Sequence, residues 1–572
     1  MTTTASGAAR TRPSWVLPAL VVVVVVAALL FTWNIGYSGL STYYAASARS
    51  MSRSLHAFLF GALDPAATTT LDKLSGFLVP QAVLVMIFGF HAWVLALPQA
   101  IEGVITVIAA YLIGSRWRGW GMGLATAAVM ALTPMLAAMF GKPMEDGMLT
   151  MTMVLAFLAW QRAVLSKHWA WLLLAGGWVA VGFQAKMLQS WLILPALGIG
   201  YLLAVGGPLR TRIVRVAIAL VVTVLLSVAW ITAIQATPAK DRPYIDGSTN
   251  NNAFSMVFGY NGVDRVLPGL IPGAVPQLAM GSGQTVATQN HTATNAAGHS
   301  PVKLVLPQFT TQIGWLYPAA LGGIVLGLAP AIRRRRVVDR VEVGTVVALA
   351  VWLAVTGLVL SVAFVPHATY FATLALPLAL LAVFGGMEAV RMSRLGARRA
   401  AVPLITLVSA ESLWAVVVAL SGPASMRWVA VPALLLGAGA LAGILLRPLQ
   451  RRFLVVAAAA ALVGPVVWSA CVIGPGGGGS ASDAYAGPRT SAAVVHGAAA
   501  VRHPFATPPS PLLDPWQRAL EHYLSARNHG RPWLFATDTM AIAVSFALYS
   551  NYEVMPMGGF SRQAPQPALS TL

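Results

Sequence analysis

The chain has a single cysteine, Cys471, and only 17 acidic residues among 572. One thiol excludes an intrachain disulfide framework and any multi-thiolate metal site. Charged residues make up 9% of the sequence, against about 25% in a soluble globular domain, so an ordinary water-soluble fold is excluded as well. What is abundant is apolar: 57% of residues are hydrophobic, gathered in long runs joined by short connectors. Such runs suit membrane helices, because about 20 mainly apolar residues are needed to cross roughly 30 Å of hydrocarbon.

Thirteen spans are expected, near 15–35, 91–113, 121–140, 147–162, 169–186, 188–206, 215–235, 308–330, 345–365, 369–386, 401–419, 427–446 and 453–473. The first run, preceded by Arg10 and Arg12, is long and lacks a small-residue cleavage site at the usual distance. It is therefore expected to stay as a span rather than be removed as a signal peptide.

The net charge of +20 is arranged in a way that argues against nucleic-acid binding. Arginines stand at the ends of apolar runs, not along a recognition helix or stripe. Arg116 and Arg118 follow the second run, Arg210, Arg212 and Arg215 the sixth, Arg333 to Arg336 the eighth, Arg391 and Arg394 the tenth, and Arg447, Arg451 and Arg452 the twelfth. With thirteen spans these clusters share one side, which the positive-inside rule makes cytoplasmic. The N-terminus is then cytoplasmic and the C-terminal region outside. Arg49, Arg53 and Arg427 fall on the opposite side.

The predicted fold class is an all-α polytopic membrane protein over 1–473, with outer loops at 36–90 and 236–307. A flexible linker over 474–505, opened by Gly476 to Gly479, leads to a small extracytoplasmic α/β domain over 506–572. In the first outer loop, Ser41 to Phe60 has the spacing of an interfacial helix, and Pro80 to Phe88 reads as another short one. In the last domain, Asp514 to Ala526 is expected to be helical, with Trp533 to Ala536 and Ile542 to Ala547 as short buried strands.

On this topology Asp64, Asp72, Glu145, Asp146, Asp241, Asp246 and Asp264 face outward, accompanied by Lys73, Lys142, Lys186, Arg242 and Arg265. Carboxylates and fixed cations beside a bilayer suit a lipid-linked anionic substrate. The cations bind phosphate, and a carboxylate draws a proton from an acceptor hydroxyl. Loop charges also simply solvate loops. That reading weighs least for Asp146 and Lys186, which abut long apolar runs where an unpaired charge is expensive.

Several short motifs occur in a consistent order: Tyr43-Tyr44-Ala45-Ala46, Phe60-Gly61-Ala62-Leu63-Asp64-Pro65, Leu71-Asp72-Lys73, Asp146-Gly147-Met148-Leu149, Lys186-Met187-Leu188-Gln189, Tyr244-Ile245-Asp246-Gly247, Gly259-Tyr260-Asn261-Gly262, Gln312-Ile313-Gly314-Trp315, His367 with Tyr370, and Met555-Pro556-Met557-Gly558-Gly559-Phe560-Ser561. In these the chain resembles the bacterial membrane glycosyltransferases of the GT-C superfamily. It is most similar to the actinobacterial and bacillar branch of family 39, which is related to protein O-mannosyltransferases and to the aminoarabinose transferase that modifies lipid A.

The resemblance implies transfer of a sugar from a polyprenyl-phosphate donor to a cell-envelope glycan, lipid or protein, with inversion, on the outer face of the cytoplasmic membrane. It implies an acidic residue in the first outer loop as base and basic residues on the donor phosphate. Asp146 and Asp72 are the catalytic candidates, and Lys186, Lys73 and Arg265 the phosphate candidates. Thr42, Tyr43, Tyr44, Asp64, Glu145, Gln189, Trp315, His367 and Tyr370 are the cavity candidates. The chain departs from the family at Thr42, where an acidic residue is usual, at Leu74-Ser75, where two prolines are usual, and at Glu145, an added carboxylate. A divalent cation is left open, with Asp64, Asp72 and His367 as the residues that would have to converge. The glycines at 476–479 lack the strand, helix and lysine of a nucleotide-binding loop. Membrane lipids, the donor and an envelope acceptor are the expected partners of a monomer. A lipid-linked sugar flippase and a degenerate, glycan-binding transferase are the rival readings.

Overall fold

The structure is a computed structural model that describes residues 12–33, 35, 41–276, 300–332, 339–364, 367–394, 398–446, 450–473, 479–480, 483–488, 513–531, 533–538 and 540–566. Among these, nine helices are long and apolar enough to cross a membrane: Ala92–Arg118, Glu145–Ser166, Leu209–Ala236, Pro307–Ala329, Arg340–Val362, Ala368–Ser393, Val402–Ser421, Ala424–Leu446 and Arg451–Ile473. The chain is a multi-pass membrane protein. Arg10, Arg333 to Arg336 and Arg447 lie outside the described residues.

The other four expected spans are helical but short or interrupted. Val16–Thr32 and Ala170–Lys186 each have 17 residues. The run at 121–140 is two helices, Trp120–Ala131 and Pro134–Met139, because a proline has no backbone N–H to continue the ladder and turns the residue before it to extended geometry. The run at 188–206 opens after Met187, whose φ of 44° breaks the chain direction, and is itself divided into Leu188–Trp191 and Leu194–Ala204. Hydropathy registers the run; it is blind to such breaks.

Small residues let neighbouring helices approach. A Cβ placed on Gly323 would stand 2.1 Å from the Leu381 carbonyl oxygen, and one on Gly464 would stand 2.1 Å from the Trp315 ring. Trp315 is thereby committed to helix packing. Its ring meets Trp468 at 5.0 Å and its Nε1 donates to the Thr311 carbonyl at 2.8 Å.

The first outer loop is ordered as two short helices, Thr42–Arg53 and Leu55–Phe60, with Ser41 and Ser54 accepting from backbone N–H groups at their heads. The chain after them is tied to the second long loop: Thr70 N donates to the Tyr244 carbonyl at 2.9 Å, and Tyr244 N to the Thr68 carbonyl at 3.0 Å. Two loops distant in sequence thus form one layer over the helix ends.

The C-terminal region is a small β–α–β unit. Strands Trp533–Thr537 and Glu553–Pro556 pair in parallel across helix Met540–Tyr549, preceded by helix Pro515–Ser525 with an Asp514/Gln517 capping box. Ile542 to Ala547, expected as a strand, is helix interior. The helix is apolar on two sides, which erases its period. Met540, Val544 and Leu548 pack with Tyr43, Ala46 and Met51 of the first outer loop, whereas Ala543 and Phe546 enter the domain's own core. Within 474–505, expected to be flexible throughout, residues 483–488 are fastened. Gln312 Nε2 donates to the Ala486 carbonyl and Ala486 N to Gln312 Oε1, both at 2.8 Å. Gly476 to Gly478 and most of the remaining stretch lie outside the described residues.

Candidate functional site

Helix dipoles place the first charges. Glu145 and Asp146 open the helix Glu145–Ser166, where the positive end of the dipole favours acids. Lys186 closes the neighbouring helix Ala170–Lys186, where the negative end favours a cation. Lys186 Nζ donates to Asp146 Oδ1 at 2.5 Å and lies 3.8 Å from Glu145 Oε1. It also stands 3.5 Å from the centroid of the Tyr370 ring. Tyr370 is held on two further sides. Its hydroxyl accepts from Arg265 Nη1 at 2.9 Å, and its carbonyl from Gln189 Nε2 at 2.8 Å.

The loop layer supplies the rest. Lys73 Nζ donates to Tyr44 Oη at 2.8 Å and to Glu145 Oε1 at 3.4 Å, and lies 3.8 Å from Asp72 Oδ1. Asp72 is gripped by phenols. Tyr260 Oη donates to its Oδ2 at 2.9 Å, Tyr43 Oη to its Oδ1 at 3.4 Å, and the Asp72 backbone N–H donates to Tyr43 Oη at 2.8 Å. Asn261 Nδ2 fixes the Asp72 carbonyl at 2.6 Å, and its Oδ1 accepts from Arg265 Nη2 at 3.4 Å. The outcome is one continuous network of three carboxylates, three cations and four tyrosines at the mouth of the helices.

Burial tends to discharge Lys73, yet Asp72 and Glu145 outweigh it and hold the ammonium well above its ordinary range. Burial, and then the Asp72 charge, push the Tyr43 and Tyr260 phenols up, so both stay protonated and act as donors. A fourth carboxylate sits beside this network. Asp246 is fully buried and accepts from Gly247 N at 2.6 Å, Phe560 N at 2.5 Å and Ser561 Oγ at 2.7 Å. Burial and the charge of Asp72 nevertheless push it up to about 6.

That value has a sign. A carboxyl whose folded-state pKa exceeds its unfolded one binds its proton more tightly when folded, so its contribution to stability is lost as pH rises from about 4 through about 6. Asp246→Asn has no proton to lose. Thermal unfolding in lipid at pH 4, 5, 6 and 7 is expected to show the variant gaining on the parent across that window; a constant offset would contradict the assignment.

The network contains Asp72, Asp146, Lys73, Lys186, Arg265, Tyr43, Tyr44, Glu145, Gln189 and Tyr370. Thr42 is buried at the head of the helix that presents the two tyrosines. Asp64 stands apart as a turn former, accepting from Thr68 Oγ1 at 2.7 Å and from the N–H groups of Thr68 and Thr69. Trp315 belongs to the helix core, and His367 precedes the helical turn that carries Tyr370. Among the described residues, no three His, Cys, Asp or Glu side chains gather as a metal site, so Asp64, Asp72 and His367 do not form one. Tyr260, Asn261 and Phe560 were absent from the sequence-based site, and Asp246 was named only among the outward-facing carboxylates; their motifs were visible, but their convergence was not.

Residues 78–231 match the family model described as "Dolichyl-phosphate-mannose-protein mannosyltransferase", and residues 520–572 match "Putative mannosyltransferase YkcB-like, C-terminal". The "Putative mannosyltransferase YycA" of Bacillus subtilis (strain 168) is 27% identical over 626 residues, covering 97% of this chain and 89% of that protein. The "Putative mannosyltransferase YkcB" of the same organism is 34% identical over 248 residues, covering 43% of this chain and 35% of that protein. Among solved structures, ArnT from Cupriavidus metallidurans in the apo state covers 96% of this chain and 86% of its own at 16% identity, with a TM-score of 0.49. Over nearly its whole length, then, the chain is similar to a putative mannosyltransferase, and parts of it match two mannosyltransferase family models.

Proposed function

We propose that this chain transfers a sugar from a polyprenyl-phosphate donor to a hydroxyl of a cell-envelope acceptor, with Asp72 as the base. The carrying observation is the buried network at the helix mouth, in which Lys73, Lys186 and Arg265 ring Tyr370 and Asp72. In this reading the chain crosses the membrane thirteen times from a cytoplasmic N-terminus, and the C-terminal domain and both long loops lie outside.

The chemistry follows from charge. Asp72 takes the proton of the acceptor hydroxyl as that oxygen bonds to the anomeric carbon. The bond from that carbon to the phosphate oxygen breaks on the opposite face, inverting the centre, and the phosphate keeps the electron pair. Its charge grows from −1 as a diester to −2 as a monoester. Fixed cations therefore grip the leaving group more strongly in the transition state than in the ground state, which is the condition for catalysis.

Asp72 suits the role of base better than Asp146. Asp146 is committed to Lys186 at 2.5 Å, whereas the cation nearest Asp72 is 3.8 Å away and its other partners are neutral phenols. A carboxylate held in a direct ion pair would have to break it to reach an acceptor hydroxyl, and Asp72 has no such contact to break. With Asp72 in place, the reaction needs no acid at position 42.

The test is direct. Purified protein in lipid, offered labelled polyprenyl-phosphate sugars and an envelope extract, should release polyprenyl phosphate as the label moves to acceptor. Translocation of intact donor, or binding without cleavage across a broad acceptor panel, would overturn the reading in favour of a flippase or a binding protein.

A further inference from the structure

The proposed chemistry uses residues up to Tyr370, yet the chain returns to the site nearly 200 positions later. Phe560 lies flat on Tyr43, with ring centroids 4.7 Å apart and planes 28° from parallel. Tyr43 is the residue whose hydroxyl both accepts the Asp72 amide and donates to the Asp72 carboxylate. We propose that Phe560 is a positioning residue of this site, holding Asp72 through Tyr43, with Asp246 as the anchor that seats the Phe560 loop. The proposal rests on the reading of Asp72 as the base.

Three features of the loop support it. First, its backbone is shaped for this contact. Gly558 and Gly559 have φ of 76° and 64°, and a Cβ on Gly559 would lie 2.5 Å from Asp246 Oδ2. Only glycine lets the main chain reach the carboxylate.

Second, the anchor depends on the loop. Of the three donors to the Asp246 carboxylate, two, Phe560 N and Ser561 Oγ, come from this segment. Without them a fully buried carboxylate would keep one donor, with the Asp72 charge near by. Leaving such a group underpaired is costly.

Third, the domain has its own seat. Met540, Val544 and Leu548 pack on the helix Thr42–Arg53 independently of the loop. A change at Phe560 therefore frees one face of the Tyr43 ring without removing the apolar contact that docks the domain. The effect on Asp72 is one of aim: a displacement of about 1 Å in a catalytic group costs on the order of 100-fold in rate. The cations that bind phosphate are untouched.

The experiment compares full-length parent, Phe560→Ala, Phe560→Tyr and Gly559→Ala in lipid by two readouts. Hydrogen exchange is followed in the peptide covering Leu71–Lys73, with the helix Met540–Tyr549 as internal reference. Turnover of a labelled polyprenyl-phosphate sugar gives kcat and the donor KM. Phe560→Ala should speed exchange at the Asp72 amide about 10-fold or more, leave the reference helix unchanged, and lower kcat by about 10- to 100-fold with KM within about threefold. Phe560→Tyr, which keeps the ring, should restore both. Gly559→Ala lifts the loop by a different route and should reproduce the alanine result, which covers the case in which Phe560→Ala fails to fold.

Unchanged exchange at Asp72 would overturn the proposal, as would equal loosening of the reference helix or altered exchange with unaltered kcat. If the parent turns over no donor while Asp72 exchange still follows Phe560, the transferase reading falls and so does the positioning role. If turnover is normal and exchange is indifferent to Phe560, only the positioning role falls.

Discussion

Asp72→Asn is expected to lower kcat for polyprenyl-phosphate release by about 100- to 10,000-fold, the usual range for removing a general base. The asparagine has nearly the same shape and can still accept from Tyr260, so the fold should tolerate it. What it cannot do is take a proton from the acceptor hydroxyl. The comparison that gives the result its meaning is Asp146→Asn. Asp146 holds Lys186 and does not, in this reading, touch the acceptor, so its loss should appear first in donor KM and in stability. Should Asp146→Asn cost more in kcat than Asp72→Asn while both variants remain folded, the roles are reversed.

The second large effect concerns stability. Lys186→Met should destabilise the protein by about 3–5 kcal/mol, the scale for removing one member of a buried ion pair. The loss exceeds the value of the contact because Asp146 and Glu145 stay behind, buried and close together, with Lys73 as their remaining cation neighbour in the network. Thermal unfolding in lipid provides the measurement. Adding Asp146→Asn to Lys186→Met should recover a substantial part of the loss, since the second change removes a stranded charge. A single variant within 1 kcal/mol of the parent would mean that water or another group already satisfies the pair.

The parts of this molecule legible in the sequence were those where a local rule has a large energetic penalty behind it. Runs of apolar residues are one case. Asp146 and Lys186 are another: charges set against apolar runs had to find partners, and the structure pairs them with each other. The helical spacing of Ser41 to Phe60 was also readable, although the single helix expected there is two, divided at the extended Ser54.

What escaped was decided by contacts distant along the chain. Trp315 has the composition of a stacking residue, but Gly464 and Trp468 claim it. Asp64 is a carboxylate in the right loop, and Thr68 and Thr69, four and five residues on, take it. The strand expected at Ile542 to Ala547 is a helix because two different surfaces bury it, and a short run buried on both sides has no period to read. The break at 121–140 was signalled by Thr133-Pro134, and hydropathy alone passed over it.

The join between Asp246 and Phe560 spans 314 residues of sequence, and this separation bears on the order of assembly. A chain is made from its N-terminus, and the segments that emerge first begin to fold first. Tyr43 and Asp72 are therefore in place long before the ring that covers Tyr43 has been synthesised. Until residues 559–561 arrive, Asp246 lacks two of its donors and Tyr43 lacks the ring that covers it. On the proposed reading, maturation of the site is coupled to delivery of the final domain across the membrane, and a chain arrested before that point is expected to be inserted, largely packed and inactive.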